Sequence, residues 1–196
     1  MQPVAYKIQE NDNAKQRIPI MSLQHALLTS LLEKPSSGYD LARRFDKSIA
    51  YFWHATHQQI YRELSRMEQQ GWVTSTEVDG GRAGKRLFEV CPQGREELLR
   101  WASQASEPGE LRDEMMLKLR ADAVLGPLDL ADEISRRLQL HKEKLLVYKE
   151  IEARDFSATP LPREAQIRYL ILKAGISFEE GRIAWSQDAL ATLRQT

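Results

Sequence analysis

Apolar residues recur every three or four positions along most of this chain, and breaks in the rhythm divide it into short helices, one hairpin and then long helices. Residues 22–34 carry Leu23, Leu27 and Leu31 four apart, which predicts a helix with one buried stripe. Pro35-Ser36-Ser37-Gly38 ends it. Ser37, with Asp40 three residues on, has capping-box spacing for a second helix in which Leu41 and Phe45 share a buried face. After the aromatic run Tyr51-Phe52-Trp53, Thr56 and Gln59 repeat that spacing and open a third helix. On a wheel centred on Ile60, Leu64 and Met67 fall within about 40° and form the core side. Gln58, Arg62, Ser65 and Gln69 lie opposite, with Gln59, Tyr61 and Arg66 on the flanks. Gly71 is placed for a left-handed helix stop. Residues 73–78 then read as a strand, 79–84 as a flexible tip and Arg86–Val90 as the returning strand. Pro92 suits the first turn of a fourth helix reaching about Ser106.

Past Glu107-Pro108-Gly109 the pattern lengthens. One helix is expected over 110–124, and a second from Pro127-Leu128-Asp129 to Asp155, about 40 Å long if unbroken. The second carries Leu130, Ile134, Leu138, His141, Leu145 and Tyr148 on one stripe. Pro160-Leu161-Pro162 separates it from a last helix with Ile167, Ile171, Ala174 and Phe178 in step. Long narrow stripes in a small unit call for a second chain to bury them. Leu130, Ile134, Leu138, Leu145, Tyr148, Ile167, Ile171 and Phe178 are therefore the expected dimerisation residues. The expected fold is mostly α with a small β-hairpin: an arm over 1–20, a winged helix-turn-helix over 21–106 and a helical dimerisation domain over 107–196.

Charge first weakens and then sharpens a nucleic-acid reading. The formal net charge is zero. From Arg43 through Arg86, however, eight bases face five acids, whereas residues 107–196 carry 14 bases and 16 acids. The single cysteine, Cys91, excludes an internal disulfide framework. No apolar run approaches the roughly 20 residues needed to cross a bilayer, and residues 1–20 lack the apolar core of a secretory signal. A cytoplasmic protein is expected.

Three short helices followed by a hairpin is the order of a winged helix-turn-helix, whose third helix enters the major groove while the wing reaches phosphates. The side chains suit those roles. Gln58 and Gln59 can pair with adenine, and Arg62 with guanine. Arg66 and the Tyr61 hydroxyl can donate to phosphate, as can His57 beside the Thr56 cap. Arg82, Lys85 and Arg86 flank a tip in which Gly80, Gly81 and Gly84 allow close backbone approach. Any exposed helix carries Gln and Arg, and any hairpin tip carries Lys and Gly. The two together, in this order, favour DNA.

The segments SLQHALLTSLLEKPSSGYDLARRF, QIYRELSRMEQQGWV, KRLFEVCPQGREELLRW and RDEMMLKLR resemble the PadR family of bacterial transcriptional regulators, in the AphA-like branch with a long helical C-terminal domain. The resemblance spans about residues 21–190. Gly38-Tyr39, Tyr61 with Leu64, Gly71 and the run from Arg86 to Pro92-x-Gly94 carry it best. It implies that Tyr39 and Tyr61 support or contact the DNA backbone and that the C-terminal helices embrace a second subunit. This chain has Phe88 where the family usually places a tyrosine, and Cys91 where it usually places a threonine before Pro92.

Other readings have less to stand on. His54-x-x-His57 has one-turn spacing but lacks a third metal ligand. There is no Gly-rich phosphate loop, nucleophile elbow or H-E-x-x-H. Asp113-Glu114 suits a helix N-terminus, and Cys91 a half-buried structural thiol. No enzyme, metal or cofactor is expected. Of Trp53, Trp72, Trp101 and Trp185, only Trp185, with Phe178 and Tyr148, is a candidate wall for a flat aromatic ligand, and packing is the favoured reading even there. The expected function is a homodimeric DNA-binding transcriptional regulator acting on a two-fold site. The alternatives are a ligand-responsive repressor of the same fold, and a protein-interaction module without DNA binding.

Overall fold

The structure is a computed structural model that describes residues 21–46, 55–77, 86–109 and 111–194. The arm over 1–20, Tyr51-Phe52-Trp53, His54 and the hairpin tip with Arg82 and Lys85 lie outside the described residues. Contacts divide the chain after Ser106 into two compact units.

The first unit contains α1 (Met21–Glu33), β1 (Ser36–Ser37), α2 (Gly38–Asp46), α3 (His57–Gln69), β2 (Val73–Glu77), β3 (Arg86–Val90) and α4 (Pro92–Ala102). Its core gathers Leu23, Leu27, Leu28 and Leu31 of α1, Leu41 and Phe45 of α2, Ile60, Leu64 and Met67 of α3, and Val73 and Phe88 of the strands. Those are the positions that helical and strand periodicity selects, because burying one stripe per element is what holds a small unit together. Both expected pairs sit at helix starts, and at Ser37 the pair bonds through the hydroxyl. The Ser37 hydroxyl accepts from Asp40 N–H at 3.2 Å and donates to the Asp40 carboxylate at 2.7 Å. Gly71, at φ +72°, ends α3 in a Schellman turn: Trp72 N–H donates to Met67 C=O at 2.9 Å and Gly71 N–H to Glu68 C=O at 3.1 Å.

The sheet departs from the expected two-stranded hairpin. It has three antiparallel strands in the order β1-β3-β2, with Ser36 opposite Phe88 and Val73 opposite Val90. Two serines after a proline carry no strand signal; β1 forms because the end of α1 is pinned beside β3. Arg44 of α2 does the pinning, donating to Ser36 Oγ and to Lys34 C=O, both at 2.9 Å, and to Ser30 C=O. It thereby satisfies the Lys34 carbonyl beyond the end of α1 and adds a second bond to that of Ser30, which already accepts from Lys34 N–H. The fourth helix is also shorter than expected, ending at Ala102 rather than near Ser106.

The second unit contains α5 (Glu114–Leu125), α6 (Ala131–Asp155) and α7 (Arg163–Leu193). α6 and α7 form an antiparallel pair: Tyr169 donates to Glu152 at 2.6 Å at one end, while Leu130 and Leu138 meet Trp185 and Leu193 at the other. Met115 of α5 is fully buried beside Ile134 and Leu190. The two dimerisation stripes fare differently. Ile134 and Tyr148 are 0% and 3% exposed, and Leu130, Leu138 and Leu145 are partly covered. Ile134 and Tyr148 therefore cannot be offered to a partner, which corrects the expectation from spacing: α6 turns this stripe toward α5 and α7. Tyr148 fits because Gly175 of α7 has no side chain; a Cβ there would stand 2.9 Å from the ring. Ile167, Ile171 and Phe178 of α7, with Leu170, remain about half exposed.

Candidate nucleic-acid interface

Thr56 starts α3 with both halves of a capping box. Its hydroxyl accepts from Gln59 N–H at 3.2 Å, and the Gln59 side-chain oxygen accepts from Thr56 N–H at 2.8 Å. Satisfying these amide groups fixes where the helix begins and hence which residues face out. Ile60, Leu64 and Met67 are at most 1% exposed, while His57, Gln58, Gln59, Tyr61, Arg62, Ser65, Arg66 and Gln69 are all exposed. The polar side of α3 is therefore open. The base of the wing adjoins it, because Glu68 near the end of α3 accepts from Ser75 of β2 and Arg86 of β3, both at 2.6 Å.

The geometry also changes individual assignments. A bidentate pair with adenine uses both ends of an amide, and the Gln59 oxygen already serves the cap. Gln58 is the amide that the geometry leaves for that task; Thr56 and Gln59 are helix-starting residues. Tyr61 lies against Gly38, where an added Cβ would fall 2.5 Å from the Tyr61 Cε1. The α2 start thus supports the Tyr61 ring and presents the neighbouring Tyr39, whose own ring has the Arg43 guanidinium 5.7 Å from its centre.

Sequence reasoning missed the acid beneath this surface. Glu63 is 1% exposed, accepts from Gln24 of α1 at 3.0 Å and from Arg66 at 2.8 Å, and has Arg62 Nε at 3.7 Å. A signal existed: three residues after Ile60, Glu63 lies about 60° from the centre of the apolar stripe, on its edge.

Behind the interface, α4 is held against α1. His25, fully buried, bonds Glu97 at 3.0 Å and stacks on Trp101 with ring centres 4.5 Å apart. Arg100 hydrogen-bonds Glu97 from the next turn; it is the chief reason the Glu97 carboxyl titrates below its ordinary range. Cys91 precedes Pro92 at the start of α4 without a side-chain cap bond. Among the described residues no cluster of three His, Cys, Asp or Glu side chains could hold a metal, and no helix is long and apolar enough to cross a membrane.

With this geometry in hand, comparison with known proteins is decisive. Residues 27–100 match the PadR-like transcriptional regulator family, and residues 111–194 match the virulence activator alpha C-terminal family. A probable transcriptional regulator of Mycobacterium tuberculosis is 38% identical over 187 residues, covering 89% of this chain and 99% of the relative. The chain belongs to the PadR-like family of transcriptional regulators. The PadR-like fold extends over both units. The Vibrio cholerae virulence activator AphA superposes with a TM-score of 0.76 at 30% identity, covering 88% of this chain and 98% of AphA. Bacillus subtilis PadR in complex with operator DNA superposes with a TM-score of 0.77 at 28% identity, covering 89% and 99%. The same regulator in complex with p-coumaric acid gives 0.72 at 26% identity, covering 91% and 98%.

Proposed function

We propose that this PadR-like regulator binds a two-fold DNA site as a homodimer, each subunit placing the polar face of α3 in one major groove. The observation that carries this reading is the sidedness of α3, whose apolar stripe is fully buried while Gln58, Tyr61 and Arg62 stand exposed beside the base of a basic wing. Gln58 and Arg62 read base edges. Tyr39, His57, Tyr61 and Arg66 donate to the backbone, and Arg82, Lys85 and Arg86 extend that contact along the wing. Thr56 and Gln59 set the angle at which the helix enters. The likeness to PadR bound to operator DNA supports this choice.

A second copy accounts for α7. Ile167, Leu170, Ile171 and Phe178 form a one-sided apolar stripe that the chain leaves uncovered, and a matching stripe from a second subunit would bury it. Two recognition helices held in this way predict half-sites about one turn (~34 Å) or a multiple apart. The test is to select duplexes from a random library with the full chain and footprint the winner. Two protected half-sites related by a two-fold axis are expected; a single unpaired footprint, or no enrichment, contradicts the reading.

One feature favours a ligand-responsive version of the same function. Leu119, Trp185, Ala189 and Leu193 line an open apolar groove of about 280 Å³, edged by Asp188 and Thr192. Of the three aromatics named from the sequence, Trp185 lines this groove and Phe178 and Tyr148 do not. Asp188 disfavours an anionic guest, so a neutral phenol suits the groove better than a phenolic acid. Quenching of Trp fluorescence by phenol, lost in Trp185→Phe, tests it; quenching that persists in the variant rules this groove out.

A further inference from the structure

Two acids on α3 hold bases at the interface, one on the same helix and one on β3. Glu63 Oε1 accepts from Arg66 Nη1 at 2.8 Å while Gln24 anchors its other oxygen from α1. Glu68 Oε1 accepts from Arg86 Nη2 at 2.6 Å and from Ser75 Oγ at 2.6 Å, so one carboxylate oxygen ties α3 to both strands of the hairpin. The two pairs are unequal in burial: Glu63 is 1% exposed, whereas the Glu68 side chain is 30% and that of Arg86 48% exposed. Arg66, at 47%, is as open as Arg86, but drawing it away would leave Glu63 a buried anion, which is costly, whereas Glu68 can be rehydrated. The pair at Glu68 is therefore the one that a phosphate can exchange.

Affinity that ignores sequence grows with the number of phosphates a protein neutralises, because each neutralisation releases condensed counterions. A guanidinium already bonded to a carboxylate adds little to that count. A phosphate must first displace a charge-assisted hydrogen bond, and the carboxylate left behind repels the duplex. Arg62 is held differently: its Nε stands 3.7 Å from Glu63, within ion-pair range but beyond hydrogen-bond distance.

We propose that Glu68 is a specificity-setting residue that masks Arg86 in the DNA-free protein. Random duplex then meets an Arg86 that is already neutralised and gains little from it. A duplex seated by Gln58 and Arg62 brings its phosphates into register, and only there is a phosphate placed to take Arg86 from Glu68. The chain's net charge of zero fits a protein that limits indiscriminate contact with DNA. This inference rests on the DNA-binding reading above and deepens it.

The experiment measures binding of the full-length protein to a random-sequence 30-base-pair duplex, and to a duplex selected by the wild type, across a series of salt concentrations. Glu68→Gln retains an oxygen that can accept from Ser75 but removes the charge that holds Arg86. It is expected to steepen the log-log salt dependence on random duplex by about 0.9 and to tighten that binding about eight-fold at 0.1 M salt, the effect of one added phosphate contact. The ratio of selected to random affinity should fall correspondingly. The doubly substituted Glu68→Gln, Arg86→Ala protein should lose the added slope, which mere removal of a negative charge would leave in place. Unchanged slope in Glu68→Gln, or a gain that survives loss of Arg86, overturns the masking role while leaving DNA binding intact. No binding of either duplex by the wild type at low salt overturns both readings.

Discussion

At Gly94 the absence of a side chain is what lets α4 lie against the turn that follows α3. A Cβ there would stand 2.2 Å from the Trp72 carbonyl oxygen, and that carbonyl already accepts from Cys91 N–H at 2.9 Å. Backbone held in this way cannot step aside. Gly94→Ala should therefore destabilise the first unit by about 1–3 kcal/mol, the usual cost of overpacking, as read from urea denaturation; an unchanged midpoint would show that α4 is free to shift. Gly38 is more forgiving, because its neighbour is the Tyr61 ring, which can swing outward. Residues of this kind are half legible in the sequence. Gly71 announces its positive φ by following a helical stripe, and Ser37, Asp40, Thr56 and Gln59 announce caps by spacing alone. Gly94 and Glu63 show only a motif position and a place at the edge of a stripe; what makes them necessary is Trp72 in one case and Gln24 in the other, and neither partner is near in sequence.

Among the elements, α5 is held at its N-terminus by charge as well as by the burial of Met115. Asp113 caps it, accepting from Met115 N–H at 3.0 Å, and also accepts from Arg137 of α6 at 2.9 Å and from Arg182 of α7. Burial alone would raise the Asp113 pKa, but the Met115 amide and the two guanidinium groups outweigh it and hold the carboxyl below its ordinary value of 3.8. Glu133, beside Arg136 and Arg137, is pulled down to about 2. A carboxyl whose folded pKa is depressed stabilises the fold above its unfolded value and loses that contribution as pH falls through the folded one. Unfolding measured between pH 5 and 2 should thus show stability falling from about pH 4 downward. Asp113→Asn should cost about 1.5–3 kcal/mol at pH 7 and flatten that fall; a variant with the wild-type pH profile would remove Asp113 from the account. The acid pair at 113–114 was readable as a helix start, but not as the meeting point of three helices. The same limit hid β1, whose two serines become a strand only through β3 and Arg44, and it misdirected the α6 stripe. Periodicity tells which side of a helix is apolar and not which neighbour covers it.

For the whole molecule, the order of elements other than β1 was legible because they are bounded by local signals: Pro35, Gly71, Pro92, Pro127, Pro160 and Pro162. Which apolar surface remains for a partner was not, because that depends on what the chain itself buries. The α7 stripe is one such surface, as are Leu117, Val124 and Leu125 of α5 and Leu140 and Leu146 of α6, and it is the one that lies in register along a single helix face. Placing a charge in it, as in Ile171→Asp, should yield a folded monomer in sedimentation equilibrium and weaken binding to a two-fold duplex far more than to a single half-site. A variant that remains dimeric would move the subunit contact elsewhere.

The most direct measurement compares Arg62→Ala with the wild type on two duplexes, the one selected by the full chain and one of random sequence. If α3 reads bases, the substitution costs about 1–3 kcal/mol on the selected duplex and little on the random one. Equal losses on both would mean that Arg62 contacts only phosphate, which contradicts the base-reading role given to it on α3.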